Sequence, residues 1–180
     1  MNVRRPKKSY RKNAWIDSRL EICPSPLGGK GTYARRPIRE GEIVTTWGAD
    51  VFTEGEVNEG KNQGRSVMPI GEGFYIAYEL YDNEAPDHFL NHSCDPNIWL
   101  VDEVTLITRR AINIGEEITA DYATWETEED WVAAWSCNCG SHLCRGLITG
   151  RDWRLPELQD RYGDHFLPCI YERIVRLHGT

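Results

Sequence analysis

Residues 91–97 constrain this chain more than any other stretch. They read Asn91-His92-Ser93-Cys94-Asp95-Pro96-Asn97. An amide, an imidazole, a hydroxyl and a thiol follow one another, and Asp-Pro with Asn then favours a turn. Such a loop cannot bury itself, because polar groups taken out of water need partners. Two later stretches carry matching groups. Gly115-Glu116-Glu117-Ile118-Thr119-Ala120-Asp121-Tyr122 reads as a turn running into a short strand that ends on a tyrosine. Cys137-Asn138-Cys139-Gly140-Ser141-His142-Leu143-Cys144 puts three thiols into eight residues. The chain is built to bring these three stretches together.

The rest of the pattern is many short strands, then helices. Strands are expected at residues 20–23, 32–34 and 42–47, set apart by Pro24, Pro26, the glycine turn at 28–31 and the turn Arg39-Glu40-Gly41. Residues 54–73 are glycine-rich and polar, which predicts loops. Residues 74–81 are aromatic and apolar. Residues 98–101 and 104–108 flank Asp102-Glu103 as a hairpin. Helices are expected only in the last third: a short one from Thr127 through Trp135, then amphipathic ones over 155–162 and 164–177. The fold class is mainly β with C-terminal helices.

Charge divides the chain unevenly. Net charge is −7, yet residues 1–13 hold Arg4, Arg5, Lys7, Lys8, Arg11 and Lys12 and no acid. With those six set aside, 15 basic residues face 28 acidic ones, a balance of −13. An acidic body favours cationic partners and disfavours nucleic acid, which is left at most a weak contact with the basic arm. That arm reads most simply as a flexible, solubilising segment. There is no apolar run of membrane-spanning length and no signal-peptide pattern, so a cytoplasmic (intracellular) chain with no membrane partner is expected, a nuclear location being compatible. In such a compartment six cysteines point to metal or free thiols and not to disulfides. Cys137, Cys139 and Cys144 have the spacing C-x-C-x4-C. Tetrahedral zinc asks for a fourth ligand. Cys94 is the natural one, with Cys23 and Cys169 as competitors.

Taken jointly, the motifs resemble the SET-domain family, the S-adenosylmethionine-dependent protein-lysine methyltransferases. The resemblance runs over residues 20–148. It rests on Gly29-Lys30-Gly31 with Thr32-Tyr33-Ala34, on Arg39-Glu40-Gly41-Glu42, on residues 91–97 and 115–122, and on the cysteine module ending Cys144-Arg145-Gly146, which is similar to the family's post-SET zinc motif. It implies a β-clip of short curved sheets with a pseudoknot near Asn91. The implied layout is a basic arm (1–13), a SET domain (14–126), a post-SET-like zinc module (127–148) and a helical extension (149–180). The resemblance further implies that Gly29, Lys30, Gly31, Tyr33, Asn91, His92 and Tyr122 contact S-adenosylmethionine, and that Tyr122 is the catalytic tyrosine. Cys94, Cys137, Cys139 and Cys144 would hold one structural zinc ion, Zn(2+). Trp47 and Ala120 would line the lysine channel, and the partner would be a lysine-bearing, basic protein or peptide, histone or not.

The chemistry suits that implication. A lysine amine of pKa ~10.4 is almost wholly protonated at neutral pH. A narrow apolar channel favours its neutral form, and alignment of nitrogen, methyl and sulfur supplies much of the acceleration. Three positions depart from the family pattern. Ala120 stands where Phe or Tyr is usual, Trp47 where a tyrosine is common, and Leu147 where some relatives carry an aromatic residue. The missing bulk at Ala120 predicts methylation beyond the monomethyl state, with Trp47 as the ring that would close the same space. The rival reading is a catalytically silent module of the same fold that holds basic peptides. A zinc-dependent nucleic-acid binder is opposed by the acidic body.

Overall fold

The computed structural model describes residues 10–78 and 85–179. Residues 1–9 of the basic arm, Lys7 and Lys8 included, and residues 79–81 of the aromatic stretch lie outside the described residues. In chain order the strands are β1 (Trp15–Ile16), β2 (Leu20–Pro24), β3 (Lys30–Ala34), β4 (Ile43–Thr46), β5 (Asp50–Thr53), β6 (Ser66–Gly71), β7 (Phe74–Tyr78), β8 (Asn91–His92), β9 (Ile98–Leu100), β10 (Thr105–Thr108) and β11 (Glu117–Ala120). The helices are α1 (Glu54–Asn58), α2 (Pro156–Tyr162) and α3 (Pro168–His178). The fold is mainly β with C-terminal helices, as expected.

The strands form three small sheets, in the orders β1-β4-β10-β9, β2-β3-β11-β8 and β5-β7-β6. β9 and β10 make the expected hairpin, with Leu106 opposite Leu100. β11 is the organising strand. On one side it pairs antiparallel with β3, and on the other it runs parallel to β8, Thr119 opposite Asn91 and Ala120 opposite His92. Asn97 extends that grip. Its Oδ1 accepts from Thr119 N at 2.9 Å, and its Nδ2 donates to Glu117 O at 2.7 Å. The first two of the three organising stretches therefore lie side by side, held by backbone and by one buried amide.

Burial explains the sheet faces. Val44, Ile98, Leu100, Leu106 and Ile118 point into one core cluster. Trp153, Leu158, Tyr162, Phe166, Leu167, Ile170 and Ile174 from the C-terminal extension belong to that same cluster. In α3 the buried pair Ile170 and Ile174 is spaced one turn apart, while Tyr171, Val175 and Leu177 face water. A second cluster, Ile70, Phe74, Ile76 and Val104, sits under the third sheet.

Three expectations change. Residues 54–73 are not all loop, since they hold α1 and β6. α1 is fixed by a capping box in which Thr53 Oγ1 accepts from Glu56 N at 3.2 Å and Glu56 Oε2 accepts from Thr53 N at 2.8 Å. The segment from Thr127 to Trp135 is not helical. Its backbone bonds outward instead: Val132 bridges Thr149, Ala133 N donates to Ile148 O, and Trp131 O accepts from Gly150 N. The strand before Tyr122 stops at Ala120. Tyr122 opens a 3-10 turn, Tyr122–Thr124, capped by Asp121, whose carboxylate accepts from Ala123 N at 3.0 Å.

Candidate active site and metal centre

The glycine turn and β11 meet over one carboxylate. Glu117 accepts hydrogen bonds from Ser25 Oγ at 2.8 and 2.9 Å, from Tyr33 Oη at 2.9 Å and from Asn91 Nδ2 at 2.7 Å. Asn91 Nδ2 also donates to Lys30 O at 3.0 Å. A Cβ on Gly31 would collide with the Glu117 carboxylate and stand 3.0 Å from Asn91 Nδ2, so glycine there is what lets β3 close on this cluster. The expected residues Lys30, Gly31, Tyr33 and Asn91 are thus brought together, but the group that gathers them is Glu117. Burial, then the bond to Glu117, raises the Tyr33 phenol above its ordinary value.

Tyr122 stands between two cavities. The smaller, about 320 Å³, is lined by Leu27, Gly28, Asn91, His92, Tyr122, Trp135, Cys137 and Asn138. The larger, about 930 Å³, includes Trp47, Leu90, Tyr122, Trp125 and Glu126 in its wall. Tyr122 Oη donates to Leu90 O at 3.0 Å. Burial raises its phenol pKa, so the hydroxyl stays protonated and serves as a donor, not as a strong base. Trp125 lies 5.6 Å from both the Tyr122 and Trp47 rings, centroid to centroid, and meets Trp47 edge-on. Trp131 and Trp135 approach the Tyr122 ring to 6.4 and 6.3 Å. Ala120, expected in the channel, is 1% exposed within the main core and lines neither cavity.

His92 links the tyrosine to the thiols. Its Nδ1 accepts from Tyr122 N at 3.3 Å, and its Nε2 lies 3.3 Å from Cys94 Sγ. Burial pushes its pKa down to about 4, which keeps the ring neutral. With Nδ1 accepting, the proton sits on Nε2 and points at the sulfur.

The four expected cysteines converge. Ligand atoms of Cys94, Cys137, Cys139 and Cys144 all lie within 4.8 Å of one another, and Cys94 and Cys137 Sγ are 3.9 Å apart. A tetrahedron with Zn–S bonds of ~2.3 Å has sulfur–sulfur edges of about 3.8 Å, so the set fits one zinc ion with no other ligand. Cys23 lies apart in β2 and Cys169 is buried in α3. Burial pushes the Cys94 thiol up to about 11. A divalent cation would invert that preference, since coordinating thiols lose their protons. Arg145 N donates to Cys94 Sγ at 3.3 Å, an outer contact that orients the sulfur.

Arg145 also anchors the loop to the strand. Its guanidinium forms a fork on Asp121 at 2.6 and 2.7 Å, and its Nε donates to Asp152 at 2.9 Å. Tyr162 Oη donates to the same Asp121 at 2.9 Å. Asp121 is fully buried, so this network holds the turn carrying Tyr122 against both the cysteine loop and α2.

Sequence reasoning missed Ser25, Glu117, Trp125, Trp131, Trp135, Asp121 and Tyr162. Glu117 and Asp121 stood inside the motif, and the three tryptophans fall within eleven residues of Trp125, a local enrichment that marks an aromatic wall.

Comparison with known proteins places this geometry. The SET domain family model matches residues 29–123, slightly more than half of the 180-residue chain. The histone-lysine N-methyltransferase Su(var)3-9 of Drosophila melanogaster is 27% identical over 151 residues, covering 67% of this chain and 23% of the relative. Histone-lysine N-methyltransferase ash1 of the same fly is 28% identical over 145 residues, covering 72% of this chain and 6% of the relative. Histone-lysine N-methyltransferase SUV39H2 of Mus musculus is 28% identical over 130 residues, covering 60% and 27%. The chain spans only a minor part of these relatives' length. The family match covers more than half of the chain and encloses Lys30, Gly31, Tyr33, Asn91, His92, Glu117 and Tyr122, and the chain belongs to the SET-domain family.

Proposed function

We propose that this protein is an S-adenosylmethionine-dependent methyltransferase acting on a lysine side chain of a basic protein. The observation that carries this reading is the position of Tyr122 in the walls of both cavities. One cavity offers glycine backbone, an amide and the Trp135 face, which fits a ligand with a charged amino-acid end and a flat base. The other offers Trp47 and Trp125, which fits the stem of a lysine. A methyl donor and an amine acceptor would then meet at Tyr122.

The cofactor supplies an electrophilic methyl on a sulfonium. The chain's own residues do the rest. Leu27, Gly28, Asn91 and Trp135 bind and orient the donor, and the cluster on Glu117 holds Asn91 and the glycine turn in register. Trp47 and Trp125 exclude water around the acceptor amine, which favours its neutral form. The Tyr122 hydroxyl gives polar contact where the methyl passes and fixes its line of approach. A zinc ion held by Cys94, Cys137, Cys139 and Cys144 would be structural, since four thiolates would leave no open position for substrate. All six cysteines are unpaired, which suits a reducing, intracellular compartment. An overall charge of −7 draws cationic partners, histone or other.

The test is incubation of the zinc-loaded protein with methyl-labelled S-adenosylmethionine and a cell extract, read by mass spectrometry. Methyl-lysine in extract proteins is expected. Cofactor binding without transfer to any protein would overturn the reading in favour of a silent peptide-binding module.

A further inference from the structure

The described end of the N-terminal arm does not trail from the body. Tyr10 Oη donates to Glu103 at 2.9 Å, and its ring packs with the cluster of Ile70, Phe74, Ile76 and Val104. From there to β1 the backbone presses on Gly48. A Cβ at that position would stand 2.6 Å from Asn13 O and 2.7 Å from Arg11 O, so a side chain at residue 48 would lift this strap away. Lys12, Asn13 and Ala14 then form part of the wall of the larger cavity, the same wall that holds Trp47, Tyr122 and Trp125.

Residues 1–9 precede Tyr10, which stands two positions before Lys12 in the wall of that cavity. They hold Arg4, Arg5, Lys7 and Lys8 and no acid. At ~3.3–3.6 Å per residue, Lys8 and Lys7 are tethered within about 7–11 Å of Tyr10 along the chain. Among the described residues the cavity wall carries the acids Asp50, Asp87 and Glu126 and the bases Lys12, Arg65 and His88. Asp50 accepts from Arg65 Nη1 at 3.0 Å. Glu126 Oε1 accepts from Glu128 N at 2.8 Å, which leaves Asp87, whose Oδ1 is buried and has no hydrogen-bond partner among the described residues. Burial raises the pKa of both carboxyls, an energetic penalty on their charge that a cationic guest relieves. A short tether whose charged residues are all basic, joined two residues before that wall, can offer a cation to Asp87, and its lysines have the chemistry that the Tyr122 site would act on.

We propose that the larger cavity takes this chain's own N-terminal arm as its occupant and that Lys7 and Lys8 are methylated in cis. The proposal rests on the methyltransferase reading above. The neutral ε-amine gives its lone pair to form a new N–C bond to the sulfonium methyl of S-adenosylmethionine. The S–CH3 bond breaks and its electron pair returns to sulfur, leaving S-adenosylhomocysteine. The methylated ammonium then sheds a proton to solvent. Tethering sets an effective concentration on the order of millimolar, so the arm competes with any free substrate present below that level.

The experiment uses the full chain, zinc-loaded, with methyl-labelled S-adenosylmethionine alone, and peptide mapping by mass spectrometry. Label is expected on Lys7 and Lys8. The labelled fraction at a given time should not change over an about tenfold dilution, because an intramolecular step is first order in protein. The K7R/K8R variant, which keeps the charge, should lose the arm label and still label proteins of a cell extract. Extract labelling by the unaltered chain with no label on Lys7 or Lys8 would overturn the proposal and leave the methyltransferase reading standing. Label confined to Lys12, or a labelled fraction that falls on dilution, would also overturn it. No label on arm or extract would remove the methyltransferase reading itself.

Discussion

At the scale of single residues, Tyr122 and Ala120 are two residues apart and do different work. The Tyr122 hydroxyl donates to Leu90 O and faces both cavities. Tyr122→Phe should lower turnover by about 10²-fold, the usual effect of losing one donor aimed at a transition state. Cofactor affinity, measured by titration calorimetry, should be preserved, and unchanged turnover would remove Tyr122 from the catalytic role. Ala120 was expected to open space for extra methyl groups. It is instead sealed in the core and paired with His92, and the rings beside the larger cavity are Trp47 and Trp125. Ala120→Tyr should then destabilise by about 1–3 kcal/mol through overpacking, seen as a lower urea midpoint. Trp47→Ala, which removes a ring from the cavity wall, should add a higher methylation state to the product spectrum at long reaction time. If Ala120→Tyr instead shifts products cleanly to monomethyl-lysine at full stability, the channel runs past residue 120 after all. Asn91, His92 and Cys94 were legible because such chemistry is uncommon in one loop, Cys137, Cys139 and Cys144 because three thiols crowd into eight residues, and Tyr122 through the family resemblance. Glu117 was not, because a single carboxylate does not stand out among 28 acids.

At the scale of elements, legibility followed the strength of local signals. β2, β3, β4, β9, β10 and β11 stand where β-rich runs meet glycine or proline turns, and α2 and α3 follow their apolar spacing. In the sheet β5-β7-β6 it was β6 that was hidden, because the stretch around it is glycine-rich and polar and its register slips between Pro69 and Gly71. α1 had a readable sign, Thr53 with Glu56 three residues on, that was outweighed by the glycines around it. Thr127–Trp135 had the sign of a helix and did not become one, because residues 148–150 take its backbone bonds. That segment packs on the thiols: Ala133 and Ile148 share a cluster with Cys94 and Cys137. Zinc should therefore hold Trp131 and Trp135 beside Tyr122. Removing it with a chelator, or replacing Cys139 by Ser, should lower Tm by on the order of 10 °C and change tryptophan fluorescence together with zinc content. A metal-free protein with the original Tm and spectrum would show that the four thiols are only neighbours.

At the scale of the whole molecule, the amphipathic character of α2 and α3 could be read from sequence, but not the surface they cover. That surface is the back of the sheets carrying the site. Seven residues of the extension, Trp153, Leu158, Tyr162, Phe166, Leu167, Ile170 and Ile174, are buried in the same cluster as Val44, Leu100, Leu106 and Ile118. Polar bonds reinforce the contact: Leu167 N donates to Thr124 O at 2.7 Å, Arg161 Nη1 to Cys94 O at 3.0 Å, and Tyr162 Oη to Asp121. The extension thus completes the core and is not an appended module. Full burial of one large apolar side chain is worth ~1.5–3 kcal/mol, so losing seven removes about 10–20 kcal/mol. That matches or exceeds the whole stability of an ordinary domain, ~5–15 kcal/mol. A chain ending at residue 148 should therefore lack a cooperative thermal transition and bind no cofactor, even with its motifs intact. Phe166→Ala in the full chain should cost about 3–5 kcal/mol, leaving a folded protein of lower Tm that still transfers methyl groups below it. Circular dichroism melts of the two proteins decide the matter. A shortened chain that melts cooperatively would mean that the sheets hold their own core and that the helices only lean against it.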